Sequence, residues 1–136
     1  MLFRSVHQTY ELIHVQVSCG DKMIPTATVC IRDAQGRELT DSCHGTGPVD
    51  AVYRAINRIV AMENDLIEFN IQAVTEGIDA LADVTIRIRR GNDIYTGRGA
   101  QTDIIVASAK AYVQALNKLI ARVTPVDAER EALSVV

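Results

Sequence analysis

Residues 97–119 read GRGAQTDIIVASAKAYVQALNKL, and this stretch decides the fold. Two glycines, the small polar pair Thr102 and Asp103, and then an unbroken helical pattern spell a strand-to-helix junction. Ile105, Ala109, Tyr112, Leu116 and Leu119 recur at helical spacing and mark an apolar face, with Ser108, Lys110, Gln114 and Asn117 assigned to the other face. Thr102 and Asp103 stand where a helix start needs a side-chain oxygen to accept from its free N–H groups. Such a start also suits an anion, because the free N–H groups and the positive end of the dipole point the same way.

The junction occurs twice. Residues 43–60 read CHGTGPVDAVYRAINRIV, with Gly45-x-Gly47, Pro48 at a first helical position and Asp50 in the first turn. Val49, Val52, Tyr53, Ile56 and Ile59 form the apolar stripe. Residues 55–59 are echoed by 115–119, 12–17 by 66–71, and 28–32 by 85–89. The offset drifts between roughly 52 and 60, so short insertions separate the copies, the largest lengthening the second helix. Two copies of so long a period mean a duplicated unit, since a solenoid needs at least about three.

In chain order, residues 10–18 alternate as a strand with Ile13, Val15 and Val17 on one face. Residues 26–32 form a second strand, 33–36 a turn and 37–43 a weaker third strand, followed by a helix from Pro48 to near Met62. The second unit repeats this. Residues 66–74 put Ile67, Phe69, Ile71 and Ala73 on one face, 75–80 form a loop, and strands at 82–89 and 94–98 flank a turn at 90–93. The long helix follows and stops after Val123 at Thr124-Pro125. The fold class is therefore α+β: duplicated β-β-β-α units, six strands and two main helices, with the sheets covered by helices. One sheet with one helix is thin, so the units are expected to pack together and against a second chain as a homodimer. The expected organisation is a linker remnant at 1–9, a domain at 10–123 divided at 64/65, and a tail at 124–136 where Asp127 can cap a short helix.

Composition narrows the function. The net charge is −3 and no stretch is dense in Lys or Arg, which argues against nucleic-acid and anionic-membrane partners. No apolar run approaches bilayer length and Met1–Arg4 lacks the core of a secretory signal, so cytoplasmic residence is expected. Cys19, Cys30 and Cys43 form no close pair and read as free thiols in a reducing compartment. Cys43 beside His44 lacks two further ligands for zinc, so no metal is expected. Arg87 and Arg89 read as a solvated strand face, and Tyr53 and Tyr112 as packing residues.

Three motifs then carry a resemblance. GTGPVDA at 45–51, VTEGIDA at 74–80 and GRGAQTD at 97–103 resemble the C-terminal regulatory domain of 2-isopropylmalate synthase, over about Phe3 to Arg122. That family catalyses the first committed step of leucine biosynthesis and is inhibited by leucine; the related citramalate synthases respond to isoleucine. The resemblance implies a domain that dimerises and holds the amino acid at the dimer interface. Carried over position by position, it implies ligand contacts from Gly45, Gly47 and Asp50, from Phe69, Ala73 and Ala80, and from Ala100, Thr102, Asp103 and Ile104. The family often has Tyr where this chain has Phe69, and some relatives have Ala at Asp50. The family's catalytic TIM barrel, which uses acetyl-CoA and a divalent metal held partly by His-x-His, is not in this sequence: His7, His14 and His44 form no such motif. The resemblance thus implies no catalytic residues and no cofactor here, with the barrel of the same enzyme as partner.

The residue types suit an amino-acid effector. A carboxylate wants the N–H groups of the helix starts. An ammonium wants Asp50 or Asp103, and a branched side chain wants apolar walls such as Phe69, Ala73, Ala80 and Ile104. Other readings use the same residues: glycines as turn chemistry, the two aspartates as caps and dipole partners, or a dimerisation module without ligand. A small enzyme built on Asp50, Asp103 and His44 lacks a recognisable nucleophile–base pair. Leucine and isoleucine differ by one methyl position, worth only about 1–3 kcal/mol to a pocket.

Overall fold

The computed structural model describes residues 10–75 and 80–122, with the backbone alone at 73–75 and 80. The elements are β1 (Glu11–Gly20), β2 (Met23–Arg32), β3 (Glu38–His44), α1 (Pro48–Val60), β4 (Asp65–Thr75), β5 (Ala80–Arg90), β6 (Asp93–Gln101) and α2 (Ile104–Arg122). They form two antiparallel three-stranded sheets, ordered β1-β2-β3 and β4-β5-β6. The α+β fold of duplicated β-β-β-α units is thus present; the linker remnant and the tail lie outside the described residues. Several strands outrun their sequence signal. β2 starts at Met23, Thr75 and Ala80 belong to strands rather than to a loop, and β6 continues to Gln101. At hairpin tips such as Met23-Ile24 both faces are solvated, so alternation carries no information there.

The duplication extends to a shared irregularity. Leu12 pairs with Ile31 and His14 with Cys30, leaving Ile13 as an extra residue. Leu66 pairs with Ile88 and Glu68 with Arg87, leaving Ile67 extra at the same place. A bulge breaks the two-residue alternation. Hence Leu12, not Ile13, joins Val15 and Val17 against the core, and in β4 Leu66 takes the face expected of Ile67.

α1 packs on β2 and β3, α2 on β5 and β6, and the helices pack on each other. Val29, Ile31, Val52 and Ile56 of the first unit and Val84, Ile86, Tyr112, Leu116 and Leu119 of the second belong to one continuous core. α2 also reaches β1, so it is enclosed on more than one side. This corrects the expectation for Ser108, which is fully buried and satisfied by donating from Oγ to the Ile104 carbonyl at 2.8 Å. It also explains why α2 carries so little charge. By length and composition the helix is apolar enough to cross a bilayer, contrary to the sequence reading, and here that apolar surface is core.

Gly97 and Gly99 are not at the helix start. They are buried inside β6, on the face toward α2. A Cβ at Gly97 would lie 1.9 Å from the Ala111 carbonyl oxygen, and one at Gly99 would lie 2.3 Å from that of Ala107. The second glycine pair is a seat that lets the α2 backbone approach the strand, not a hinge.

Candidate functional site

α1 starts at Gly47, whose extended backbone (φ −158°) offers no side-chain cap. The first intrahelical bond runs from the Ala51 N–H to the Gly47 carbonyl at 2.9 Å. Pro48 has no N–H, so Val49 and Asp50 carry this start's unclaimed donors. Gly45 donates to the Pro25 carbonyl at 3.0 Å, and a Cβ there would lie 2.6 Å from both the Ala51 nitrogen and Asp50 Oδ2. A side chain at Gly45 would therefore push the first turn away.

Asp50 reaches back over this turn. Its Oδ2 accepts from the Thr46 N–H at 2.9 Å, from Thr46 Oγ1 at 3.3 Å and from Arg54 Nε at 2.9 Å. That is half of a capping box, made one residue early. The Thr46 N–H is the main cause that holds the Asp50 carboxyl below its usual range; burial opposes it and the Arg54 guanidinium adds to it.

α2 starts differently. Asp103 caps it: Oδ1 accepts from the Ile105 N–H at 2.8 Å, and the Asp103 carbonyl accepts from Ala107 at 2.9 Å. Of the two expected caps it is Asp103 and not Thr102 that serves. Ile104 is the first helical residue and is 36% exposed.

The two starts meet. A cleft of about 290 Å³ is lined by Val15, Val17 and Cys19 of β1, Pro48 of α1, and Asp103, Ile105 and Val106 of α2. It joins Asp103, the one expected site residue in its lining, to Pro48, the neighbour of Gly47. The other expected site residues lie outside its lining. Phe69 meets Tyr53 edge-on with ring centroids 6.2 Å apart, and Tyr53 in turn packs on Tyr112. Ala73 pairs with Ala82, and Ala80 with Thr75, in the β4–β5 ladder; the side chains of Ala73 and Ala80 lie outside the described residues. Ala100 pairs with Asp83 on β5, and Thr102 is exposed. The β1 residues of the cleft were not anticipated. Val15 and Val17 were legible as inward-facing, but nothing in the sequence says that β1 lies beside the second unit's helix.

Tyr53 and β4 look unfinished in one chain. The Tyr53 hydroxyl is buried with no hydrogen-bond partner among the described residues, and burial raises its pKa. Leu66 and Ile71 are 42% and 41% exposed, although their ladder neighbours Ile88 and Val84 are fully buried. β1 has both helices against it, whereas β4 has no comparable cover among the described residues.

The family described as LeuA allosteric (dimerisation) domain matches residues 2–120. A 2-isopropylmalate synthase of Trichodesmium erythraeum is 61% identical over 84% of this chain, one of Gloeothece citriformis 55% over 94%, and one of Thermosynechococcus vestitus 62% over 82%. The aligned part covers 21%, 24% and 21% of those relatives, so the chain spans about a quarter of their length or less. The chain belongs to the LeuA allosteric (dimerisation) domain family.

Proposed function

We propose that this chain is the allosteric regulatory domain of a cytoplasmic 2-isopropylmalate synthase, binding leucine at an interface between two copies for feedback inhibition. The observation that carries the reading is that the starts of both helices come together, Pro48 of α1 and Asp103 of α2 bordering one cleft, with the other expected contacts beside it rather than in its lining. The effector binds where these starts meet the strands. Its carboxylate goes to the uncapped α1 start at Gly47, framed by Gly45. Its ammonium is matched by Asp50, and its branched side chain by the β4 side of the junction, at Phe69, Ala73, Ala80 and Ile104. Ala100, Thr102 and Asp103 complete the second junction. The face of β4 on which Leu66 and Ile71 stay exposed, with no helix against it among the described residues, supports a partner subunit as its cover. Substrate chemistry, acetyl-CoA and metal belong to a catalytic barrel elsewhere in the enzyme, and leucine changes how the domain dimer restrains it. Couplings of this kind are typically worth about 1–3 kcal/mol.

Calorimetric titration of the folded chain with leucine, isoleucine and valine tests this. Leucine is expected to bind most tightly. Tighter binding of isoleucine reassigns the domain to a citramalate synthase, and no heat with any of the three on a folded dimer leaves only a dimerisation module.

A further inference from the structure

Each helix faces the first strand of the opposite unit, and the two seams differ. Residues 55–59 echo 115–119, so Tyr53 of α1 takes the position that Val113 has on α2; the shared bulges match Phe69 of β4 with Val15 of β1. α2 packs on β1, where Val113 is only 5% exposed and borders one cleft with Leu12. α1 has no comparable contact with β4 among the described residues. It meets that strand through Tyr53, whose ring stands edge-on to Phe69 and tilts against Tyr112, with centroids 6.2 Å and 4.9 Å apart. The two stacked tyrosines differ in their hydroxyls. Tyr112 Oη donates to Asn64 Oδ1 at 3.1 Å, whereas Tyr53 Oη is buried with no partner among the described residues. A buried hydroxyl without a partner forfeits the hydrogen bond that water gives it in the open chain. A valine, as in the closed seam, would carry no such loss. The unsatisfied hydroxyl thus lies at the half-open seam, beside the face of β4 on which Leu66 and Ile71 stay exposed.

We propose that Tyr53 is a positioning residue for the contact between two copies of this chain. When a second copy covers Leu66, Phe69 and Ile71, the Phe69 ring shifts, Tyr53 turns with it, and its hydroxyl gains the hydrogen bond it lacks in the single chain. This rests on the two-copy reading above. The occupant is a second copy because the family to which the chain belongs is described as a dimerisation domain. The strip itself fits that occupant: Leu66, Phe69 and Ile71 share one face of β4 without a charged side chain among them, and an apolar strip of this kind can lie against its own copy across a twofold axis. The single chain therefore holds Tyr53 in the less favourable of two positions, and pairing shifts it to the other.

Tyr53→Phe tests this, because it keeps both ring contacts and removes only the hydroxyl. Two equilibria are expected to move in opposite directions. At concentrations low enough for the chain to be single, the variant unfolds at higher urea than the unaltered chain. In analytical ultracentrifugation its pair dissociates about tenfold more readily, the equivalent of one hydrogen bond. A packing role alone cannot give this split, since lost packing weakens both. A second readout needs no variant to pair: with an NMR-active carbon at tyrosine Cζ, the resonance that Tyr53→Phe deletes moves between dilute and concentrated samples of the unaltered chain. Unchanged pair affinity in Tyr53→Phe, with that resonance unmoved, overturns the role of Tyr53 and leaves the two-copy reading standing. A single-chain variant less stable than the unaltered chain overturns the role as well. An unaltered chain that stays single at every concentration overturns both.

Discussion

Asn117 and Tyr10 exchange two hydrogen bonds across 107 residues of chain: the Tyr10 N–H donates to Asn117 Oδ1 at 2.8 Å, and Asn117 Nδ2 donates to the Tyr10 carbonyl at 2.9 Å. The side chain of an α2 residue thus acts as a strand partner for the entry to β1. The repeat shows the reciprocal arrangement. Asn57 of α1 accepts from Asn64 Nδ2 at 3.2 Å, and Asn64 takes the place of Tyr10 just before β4. Each helix holds the entry of the other unit, which fuses the two into one cooperative core. Asn117→Ala leaves two backbone groups of Tyr10 unpaired and is expected to cost about 1–3 kcal/mol. Asn57→Ala should cost less, because Asn64 also donates to the Met62 carbonyl at 2.8 Å and accepts from the Tyr112 hydroxyl at 3.1 Å. Urea denaturation of both variants measures the difference, and equal losses would contradict the asymmetry.

Gly97 and Gly47 look alike in sequence and predict opposite outcomes on substitution. Gly97→Ala drives a methyl into the α2 backbone, which has to shift. Overpacking of this sort costs about 1–3 kcal/mol, or more where the obstacle is backbone. At Gly47 no atom lies within 4 Å of an added Cβ, so Gly47→Ala is expected to fold normally and to lose only effector affinity. Thermal melts with and without leucine separate the two: a lowered melting temperature for Gly97→Ala without ligand, and a reduced leucine-induced shift for Gly47→Ala.

These two glycines also show what the sequence could and could not convey. A pattern of Gly-x-Gly, small polar residues and a helix is written the same way whether the glycines sit in the turn or in the strand before it. The cap at Asp103 was legible because N-cap chemistry is local, as were Pro48 and Asp50 in the first turn of α1. The bulges at Ile13 and Ile67 were not. In β1 either Leu12 or Ile13 completes a plausible apolar face with Val15 and Val17, and only the β2 partners decide. Ser108 was misplaced for a related reason: its burial depends on β1 and α1 packing around α2, and no local pattern encodes which elements will do so. The half of the cleft contributed by β1 was hidden by the same non-local contact.

Ile71 and Leu66 predict where a second copy docks. Both share a face of β4 with half-buried Phe69, and both stay more than 40% exposed beside fully buried neighbours on β5. Replacing Ile71 by Lys places a charge where a partner would seat and removes little core from the single chain. The expected result is a folded monomer in analytical ultracentrifugation under conditions where the unaltered chain is a dimer. A dimer of unchanged affinity would move the interface elsewhere. Arg87→Ala is the control, because Arg87 is half-exposed, pairs with Glu68 at 3.6 Å and lies on the opposite, charged face of the sheet.

Asp50 links the helix start to pH. Its folded-state pKa is depressed below the unfolded value of about 3.9, chiefly by the Thr46 N–H. A depressed carboxyl contributes stability above the unfolded pKa and loses it as pH falls through the folded one. The side chain is 34% exposed, so after solvent screening the contribution is expected to be no more than about 1 kcal/mol. Asp50→Asn keeps an oxygen for Thr46 but removes the charge. The stability gap between it and the unaltered chain should be full at pH 7 and close as the pH drops below 4. Leucine affinity should fall through the same interval, because a neutral Asp50 no longer attracts an ammonium. Chemical denaturation and leucine titration between pH 3 and pH 7 read both quantities. A stability gap independent of pH would show that Asp50 acts by shape alone. Affinity that holds steady while the gap closes would remove Asp50 from the ammonium position and leave its role as a cap.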